Sequence, residues 1–153
     1  MIAQIDFRIV DYALFAIANA VNILMIGIFF SRPKRLRQVE YVLGIVLEAL
    51  AIPLAISVVL NLVGKREWWT IVLPSLLIVF LIVELILDYI LKLEFRNTRL
   101  VWPYLLLYYL ALWGMIGYCF LVGKAYGFIT LATYFLNLLA TWYSYSRVGH
   151  GGE

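Results

Sequence analysis

The chain has 153 residues, of which 65% are hydrophobic and only 14% are charged. A soluble domain is about half apolar and about a quarter charged, so this composition excludes a soluble globule, a disordered chain and a disulfide-stapled secreted domain. The 12 basic and 9 acidic residues give a net charge of +3. The basic residues lie mostly between apolar runs, where membrane orientation and anionic lipid headgroups explain them without nucleic acid. The composition predicts an integral membrane protein in contact with membrane lipids.

Five apolar runs are long enough to cross a bilayer, which takes about 20 helical residues at a rise of about 1.5 Å each. They are approximately Ile9–Phe30, Tyr41–Val63, Thr70–Leu91, Leu100–Val122 and Gly127–Tyr145. The connections between these runs are too short to contain a soluble domain. We therefore expect one all-α domain over residues 1–153, a bundle of five transmembrane helices in the plasma or inner membrane.

The basic residues also predict how the bundle is oriented. Eight lysines and arginines lie in the first loop, the third loop and the C-terminal tail, and four lie on the opposite side. Because cytoplasmic loops carry the excess of basic residues, we expect the N-terminus outside and the C-terminus in the cytoplasm. Most of the positive charge that flanks the first run lies after it, whereas in a cleavable signal peptide the positive charge comes before the apolar region. We therefore expect the first run to remain a membrane helix.

Prolines subdivide the predicted helices. Pro74 and Pro103 fall in the first turns of the third and fourth runs, where the missing N–H has little effect. Pro53 lies near the middle of the second run, where it should kink the helix and free a carbonyl near Ala49. Since hydrocarbon offers that carbonyl no partner, we expect this point of the helix to face protein or water.

Three carboxylates, Glu48, Glu84 and Asp88, lie within the apolar runs. An ionisable group at membrane depth is costly unless it is paired, solvated or neutralised, which makes it a functional-site candidate by default. At the helical rise, Glu48 and Glu84 both lie on the order of 10 Å below the predicted cytoplasmic boundary. Asp88 lies one turn closer to that boundary, on the face of Glu84, because residues four apart align on a helix.

Asp88 has a second interpretation as a structural residue. Three basic residues follow it toward the third loop, namely Lys92, Arg96 and Arg99. Long basic side chains near a helix end can reach a carboxylate one or more turns away. Asp88 is therefore either a member of the acidic site or the partner of one of these cations.

The other three runs bring polar side chains to the same depth. The fifth run also has a stripe of threonine, tyrosine and asparagine at helical spacing, which should face inward. Such a stripe is more typical of interhelical hydrogen bonds than of a conduction path, although both interpretations stay open. The predicted ligand-binding residues are Glu48, Glu84, Asp88, Asn22, Asn137, Tyr108 and Thr141.

Two facing carboxylates cannot both be ionised cheaply, so we expect Glu48 and Glu84 to share a proton if they meet. A pair of this kind can exchange a proton for a cation, bind an amine or a metal ion, or act as acid and base. The sequence favours a protein that binds or transports a small cationic or amphipathic, lipid-like ligand in the cytoplasmic leaflet. A homodimer or a larger membrane complex is compatible with this function.

Two other functions are compatible with the sequence. Extreme hydrophobicity and short loops suit a small accessory subunit of a larger membrane complex. The spacing of Glu84 and Asp88 weakly suggests a lipid- or isoprenoid-modifying enzyme, although magnesium-diphosphate motifs usually need more than one acidic copy. The single Cys119 excludes an intrachain disulfide, and the single His150 excludes a histidine-cluster metal site or bis-histidine haem. We expect no cofactor, and the metal question stays open.

Overall fold

The computed structural model describes residues 6–92 and 98–148, and this part of the chain contains helices and no strands. The helices are α1 (Phe7–Ser31), α2 (Arg37–Ala49), α3 (Ala51–Val63), α4 (Trp69–Glu84), α5 (Val101–Val122) and α6 (Lys124–Val148). A π-helical segment, Leu85–Ile90, continues α4 without a break. All five predicted runs are thus helical, with bounds that differ from the prediction by a few residues.

Four stretches are long and apolar enough to cross a membrane. They are Phe7–Ser31, Arg37–Val63, Trp69–Ile90 and Val101–Val122. This indicates a membrane protein, as the composition predicts. The remaining helix, α6, has the same length as α1, 25 residues, but more polar side chains interrupt it.

The second predicted run is divided at Leu50, which separates α2 from α3. The cause is Pro53, which has no N–H to donate to the carbonyl of Ala49. Ala49 and Pro53 lie on the exposed face of the bundle, so within this chain the break does not face the protein interior. Leu47 and Leu54 are fully buried there and occupy the inner face instead.

The prolines of the later helices are placed differently from one another. Pro103 is the third residue of α5 and lies in its first turn, as predicted. Pro74 lies inside α4, because that helix already begins at Trp69.

Three helical segments, α1, α3 and the π-helical segment, are followed by a basic residue in the left-handed region. These residues are Arg35, Lys65 and Lys92, with φ of 56°, 54° and 53°. Cations are favoured there by the negative end of the helix dipole.

The long helical runs pack as a ring in which runs that follow one another in the chain are antiparallel, α1 and α6 are parallel, and α1 has the most neighbours. It contacts α2, α3, α5 and α6, while α4 packs between α3 and α5. We call the end of the bundle with the C-terminus of α1 the Arg32 end, and the end with the loop between α3 and α4 the Arg66 end. Exposed tryptophans mark both ends, Trp68 at the Arg66 end and Trp102 and Trp142 at the Arg32 end.

The Arg66 end is closed by a network of hydrogen bonds around one ion pair. The Arg66 guanidinium donates to both carboxylate oxygens of Asp11, at 2.8 and 3.2 Å, and to Oδ1 of Asn61 at 3.0 Å. The hydroxyl of Tyr118 donates to the same carboxylate at 2.5 Å, and Asn61 donates to the carbonyl of Thr70 at 2.9 Å. The network therefore joins α1, α3, α4 and α5.

The electrostatics of this end follow from the ion pair. Burial lowers the pKa of Arg66, but the hydrogen bond and the negative charge of Asp11 outweigh that effect, so the pKa lies above its ordinary value. Asp11 lies inside α1 and is buried, so the pair is an element of the fold rather than a contact between surface charges.

We expect Arg66→Gln to lower the free energy of unfolding by about 2 kcal/mol, between the values typical of exposed and of buried ion pairs. This follows from the side-chain exposures of Arg66 and Asp11, 19% and 13%. Thermal unfolding in detergent micelles measures the change. The matched control is Arg8→Gln, whose pair with Asp6 has exposures of 80% and 47% and should matter little. Equal effects of the two substitutions would contradict the proposed closure.

Candidate functional site: an acidic cavity at the Arg32 end

A cavity of about 260 Å³ opens at the Arg32 end between α1, α2, α4 and the beginning of α5. We call it the acidic cavity. Its wall contains the carboxylates of Glu40, Glu84 and Asp88 and the guanidinium groups of Arg32 and Arg37. It also contains three tyrosine rings, those of Tyr41, Tyr89 and Tyr104. Two of the predicted site residues, Glu84 and Asp88, therefore share one cavity.

Glu84 is the most buried carboxylate of this wall. It is the last residue of α4 and only 5% exposed, and its Oε2 accepts a hydrogen bond from the hydroxyl of Tyr104 at 3.2 Å. One turn earlier, the ring of Phe80 packs against the rings of Tyr104 and Tyr108. The apolar packing of α4 on α5 thus holds the carboxylate of Glu84 at the inner wall of the cavity.

The π-helical segment changes which side chains accompany Glu84. Its hydrogen bonds span five residues rather than four, as in the bond from the N–H of Leu91 to the carbonyl of Ile86 at 2.8 Å. The wider turn brings Tyr89 to the cavity together with Asp88. Sequence analysis assumed a regular α-helix and missed Tyr89. Single π-helical turns are frequent at functional sites.

Glu48 lies behind the acidic cavity rather than in its wall. It is half-buried on α2, close enough to Glu84 and Asp88 for the charges to interact. Its Oε1 is buried and has no hydrogen-bond partner among the residues that the structure describes. The hydroxyl of Tyr89 packs against Gly44, one helical turn from Glu48 toward the cavity mouth. The three predicted carboxylates are thus brought to one region, with two of them in the cavity wall.

Arg32 is an inward-facing cation that sequence analysis assigned only to a loop. Its side chain is 10% exposed, and its Nε donates to Oε2 of Glu40 at 2.9 Å. The guanidinium also lies over the ring of Phe29, 5.1 Å from its centroid. The sequence contains a signal for this pair, because Arg32 directly follows the first apolar run and Glu40 directly precedes the second. A helical hairpin brings such positions together.

Asn22, Asn137 and Tyr108 form a separate buried network on α1, α6 and α5. Asn137 donates to Oδ1 of Asn22 at 3.3 Å and to the Tyr108 hydroxyl at 2.8 Å, and Asn22 donates to Oγ1 of Thr133 at 3.0 Å. Asn19 continues the network toward the Arg66 end. These side chains bond to one another, as the interhelical interpretation of the polar stripe predicts, and they do not line the acidic cavity.

Thr141 occupies a third location. Its hydroxyl donates to the carbonyl of Asn137 in its own helix at 2.8 Å. Its side chain lines an open groove between α5 and α6 at the Arg32 end, with a volume of about 550 Å³. Six of the seven predicted site residues are therefore distributed over an acidic cavity, a hydrogen-bond network and a groove, and Glu48 belongs to none of these three.

No family model, no curated protein and no solved structure matches this chain.

Two residues considered in the sequence lie outside the described ranges. They are Arg96, a possible partner of Asp88, and the single histidine, His150. Within the described ranges, no group of three or more His, Cys, Asp or Glu side chains is arranged to hold a metal ion. The acidic cavity instead combines carboxylates with tyrosine rings, and both of these groups bind organic ammonium ions.

We expect Gly44→Ala to displace Tyr89, because a methyl group at position 44 would overlap the Tyr89 hydroxyl. Thermal unfolding should show the variant to be about 1 kcal/mol less stable than Gly117→Ala, whose new methyl group would meet only Leu73 at 3.8 Å. The double variant Gly44→Ala/Tyr89→Phe should recover the lost stability. Without the hydroxyl, the nearest ring atom of residue 89 would lie 3.4 Å from the new methyl group. An unchanged stability of the double variant relative to Gly44→Ala would contradict this contact.

Proposed function

We propose that this membrane protein binds a small organic cation, or the cationic group of an amphipathic molecule, in the acidic cavity. The observation that carries the proposal is the position of Glu84, a carboxylate that is almost completely buried yet lines a cavity of about 260 Å³. A carboxylate at membrane depth is stabilised by an opposing charge. A ligand ammonium group at Glu84 and Asp88 adds an opposing charge to those of Arg32 and Arg37 in the same wall, and the tyrosine rings add cation–π attraction.

The size of the cavity supports an organic group rather than a bare ion. A water molecule takes up about 30 Å³ of liquid volume, and pockets for drug-sized ligands hold about 300–1,000 Å³. The acidic cavity, at about 260 Å³, lies just below that second range. It suits a small amine or a lipid headgroup, and Glu48 behind it adds a further carboxylate with a buried, unpartnered oxygen in the described structure.

The five-span topology is part of the same proposal. We infer that α6 crosses the membrane, because its length equals that of α1 and it packs along both α1 and α5. Its lower hydropathy comes from the polar stripe, which is buried against α1, while Phe128, Phe135 and Leu139 face outward. With the N-terminus outside and the C-terminus inside, the acidic cavity opens toward the cytoplasmic leaflet of the plasma or inner membrane.

Cysteine labelling in intact cells tests this topology, since the only natural cysteine, Cys119, is buried. A membrane-impermeant maleimide should label Lys65→Cys and leave Lys34→Cys and Ser146→Cys unlabelled until the cells are opened. If α6 does not cross, Ser146→Cys should be labelled together with Lys65→Cys. Labelling of Lys34→Cys and Ser146→Cys, but not of Lys65→Cys, in intact cells would instead show that the orientation is the reverse of the one proposed.

We expect Glu84→Gln to weaken the binding of two ammonium probes, benzyltrimethylammonium and dihexanoyl phosphatidylethanolamine, by about tenfold. Native mass spectrometry of the detergent-extracted protein measures this binding. Glu48→Gln should have a smaller effect, because Glu48 does not line the acidic cavity. The control Glu67→Gln, an exposed carboxylate at the Arg66 end, should bind as the wild type does.

The outcomes separate the candidate functions. If neither probe binds in a manner that depends on Glu84, the proposed site is wrong. A stoichiometric second polypeptide that remains attached in Glu84→Gln, without probe binding, would favour the accessory subunit. Dihexanoyl phosphatidylglycerol, which has a phosphate and no ammonium group, should be insensitive to Glu84→Gln.

A further inference from the structure

An apolar groove runs between α5 and α6 beside the acidic cavity. We call it the α5–α6 groove. It is lined by Val101, Trp102, Leu105, Tyr109, Leu138, Thr141, Trp142 and Tyr145, none of which is charged. Its volume is about 550 Å³, and it is open to the outer surface of the bundle. Trp102 and Trp142 are among the most exposed side chains of the described structure. Tryptophan is enriched at membrane interfaces, so the groove meets the bilayer near the headgroup level.

A small pocket, which we call the passage, lies between the groove and the acidic cavity. It holds only about 30 Å³ and lies between α1, α5 and α6. It shares the side chains of Met25, Arg32 and Tyr104 with the acidic cavity. On its other side it shares five side chains with the groove, among them Leu105 and Thr141. The three spaces therefore lie in a row, with shared side chains between them, and mark one path from the interior of the bundle to its lipid-facing surface.

The chemistry changes in order along this path. The inner part offers the carboxylates of Glu84 and Asp88, and the guanidinium of Arg32 lies where the cavity meets the passage. The groove offers only apolar and uncharged side chains. An ammonium group, then a phosphate, then a hydrocarbon chain would each meet a complementary wall in this sequence. That is the order of groups in a phospholipid with an amine headgroup.

We propose that the ligand is a membrane phospholipid with an ammonium headgroup, and that one of its acyl chains lies in the α5–α6 groove. This inference rests on the proposed function and names the class of its ligand. The ammonium group binds in the acidic cavity, the phosphate lies at Arg32, and the chain leaves between Leu105 and Leu138. Thr141 and Tyr109, on the shared wall, line the point where the chain enters the groove.

The connection to the acidic cavity favours a lipid over other occupants of the groove. A transmembrane helix or a second copy of the chain could cover the outer surface, but an α-helix of about 10 Å diameter cannot enter a passage of this size. A hydrocarbon chain is thin, and the unbranched side chain of Met25 adapts its shape to what it contacts. Only the lipid uses the polar and apolar parts of the path at once.

Matched tryptophan substitutions test the inference. Leu105→Trp and Leu138→Trp fill the groove from α5 and from α6, whereas Leu106→Trp and Leu139→Trp add the same ring to the exposed face next to each position. We expect the groove variants to bind dioleoyl phosphatidylethanolamine at least about tenfold more weakly than their controls, because each lost methylene contact lowers affinity. Native mass spectrometry with added lipid measures the ratio, and circular dichroism checks that each variant is folded.

Two probes distinguish failure of this inference from failure of the proposed function. Dihexanoyl phosphatidylethanolamine, with short chains, should keep its Glu84-dependent binding in both groove variants. If dioleoyl and dihexanoyl lipids bind the groove variants as well as the controls, the groove holds no chain and the inference is overturned, while the cation site stands. If the groove variants instead lose a dimer and keep lipid binding, the groove belongs to a second copy of the chain. Loss of Glu84 dependence for both lipids would overturn the proposed function itself.

Discussion

The hydrocarbon core of a membrane offers no hydrogen-bond partner, so polar side chains within the bundle depend on neighbouring helices. In this protein α1 supplies partners at successive depths. Asp11 meets Arg66 at one end, Asn22 meets Thr133 and Asn137 in the middle, and Arg32 meets Glu40 at the other end. Each contact joins α1 to a different part of the ring. The central position of α1 and the order of the helices around it follow from these contacts together with its apolar packing.

The two ends of the bundle satisfy this constraint in different ways. At the Arg66 end, a carboxylate, a guanidinium, an amide and a phenol bind one another, and they close the helices together. At the Arg32 end, the helices separate around a cavity with acidic, basic and aromatic walls. The same chemical groups therefore have a structural role where they are packed together and are available to a ligand where the packing leaves a space. This contrast is the reason for locating the function at the Arg32 end.

Local irregularities contribute to the site as much as the regular helices do. The π-helical turn after Glu84 places Tyr89 against Gly44, where both residues line the acidic cavity. The proline break in the second span is different, because its exposed position leaves the site unaffected. The period of hydrophobic residues cannot distinguish an α-helical from a π-helical turn, since one inserted residue leaves a fully apolar segment equally apolar. Tyr89 was therefore not predictable from the pattern.

The sequence by itself determined that the chain is helical and apolar enough for a membrane, the approximate bounds of its helical runs, and the positions of Glu84, Asp88 and Asn137 along them. These properties depend on local composition and on the rise of a helix, which are the same in any bundle. Only the tertiary structure decided which of these polar groups meet. Asn137 and Glu84 lie on neighbouring parts of the bundle, yet the amide nitrogen of Asn137 donates to Asn22 and Tyr108 while Glu84 faces a cavity. Whether a polar side chain meets another helix or a cavity depends on the rotation of its helix about the axis and on which helices pack beside it. Both depend on side-chain packing between segments far apart in the chain, which no spacing within one helix records.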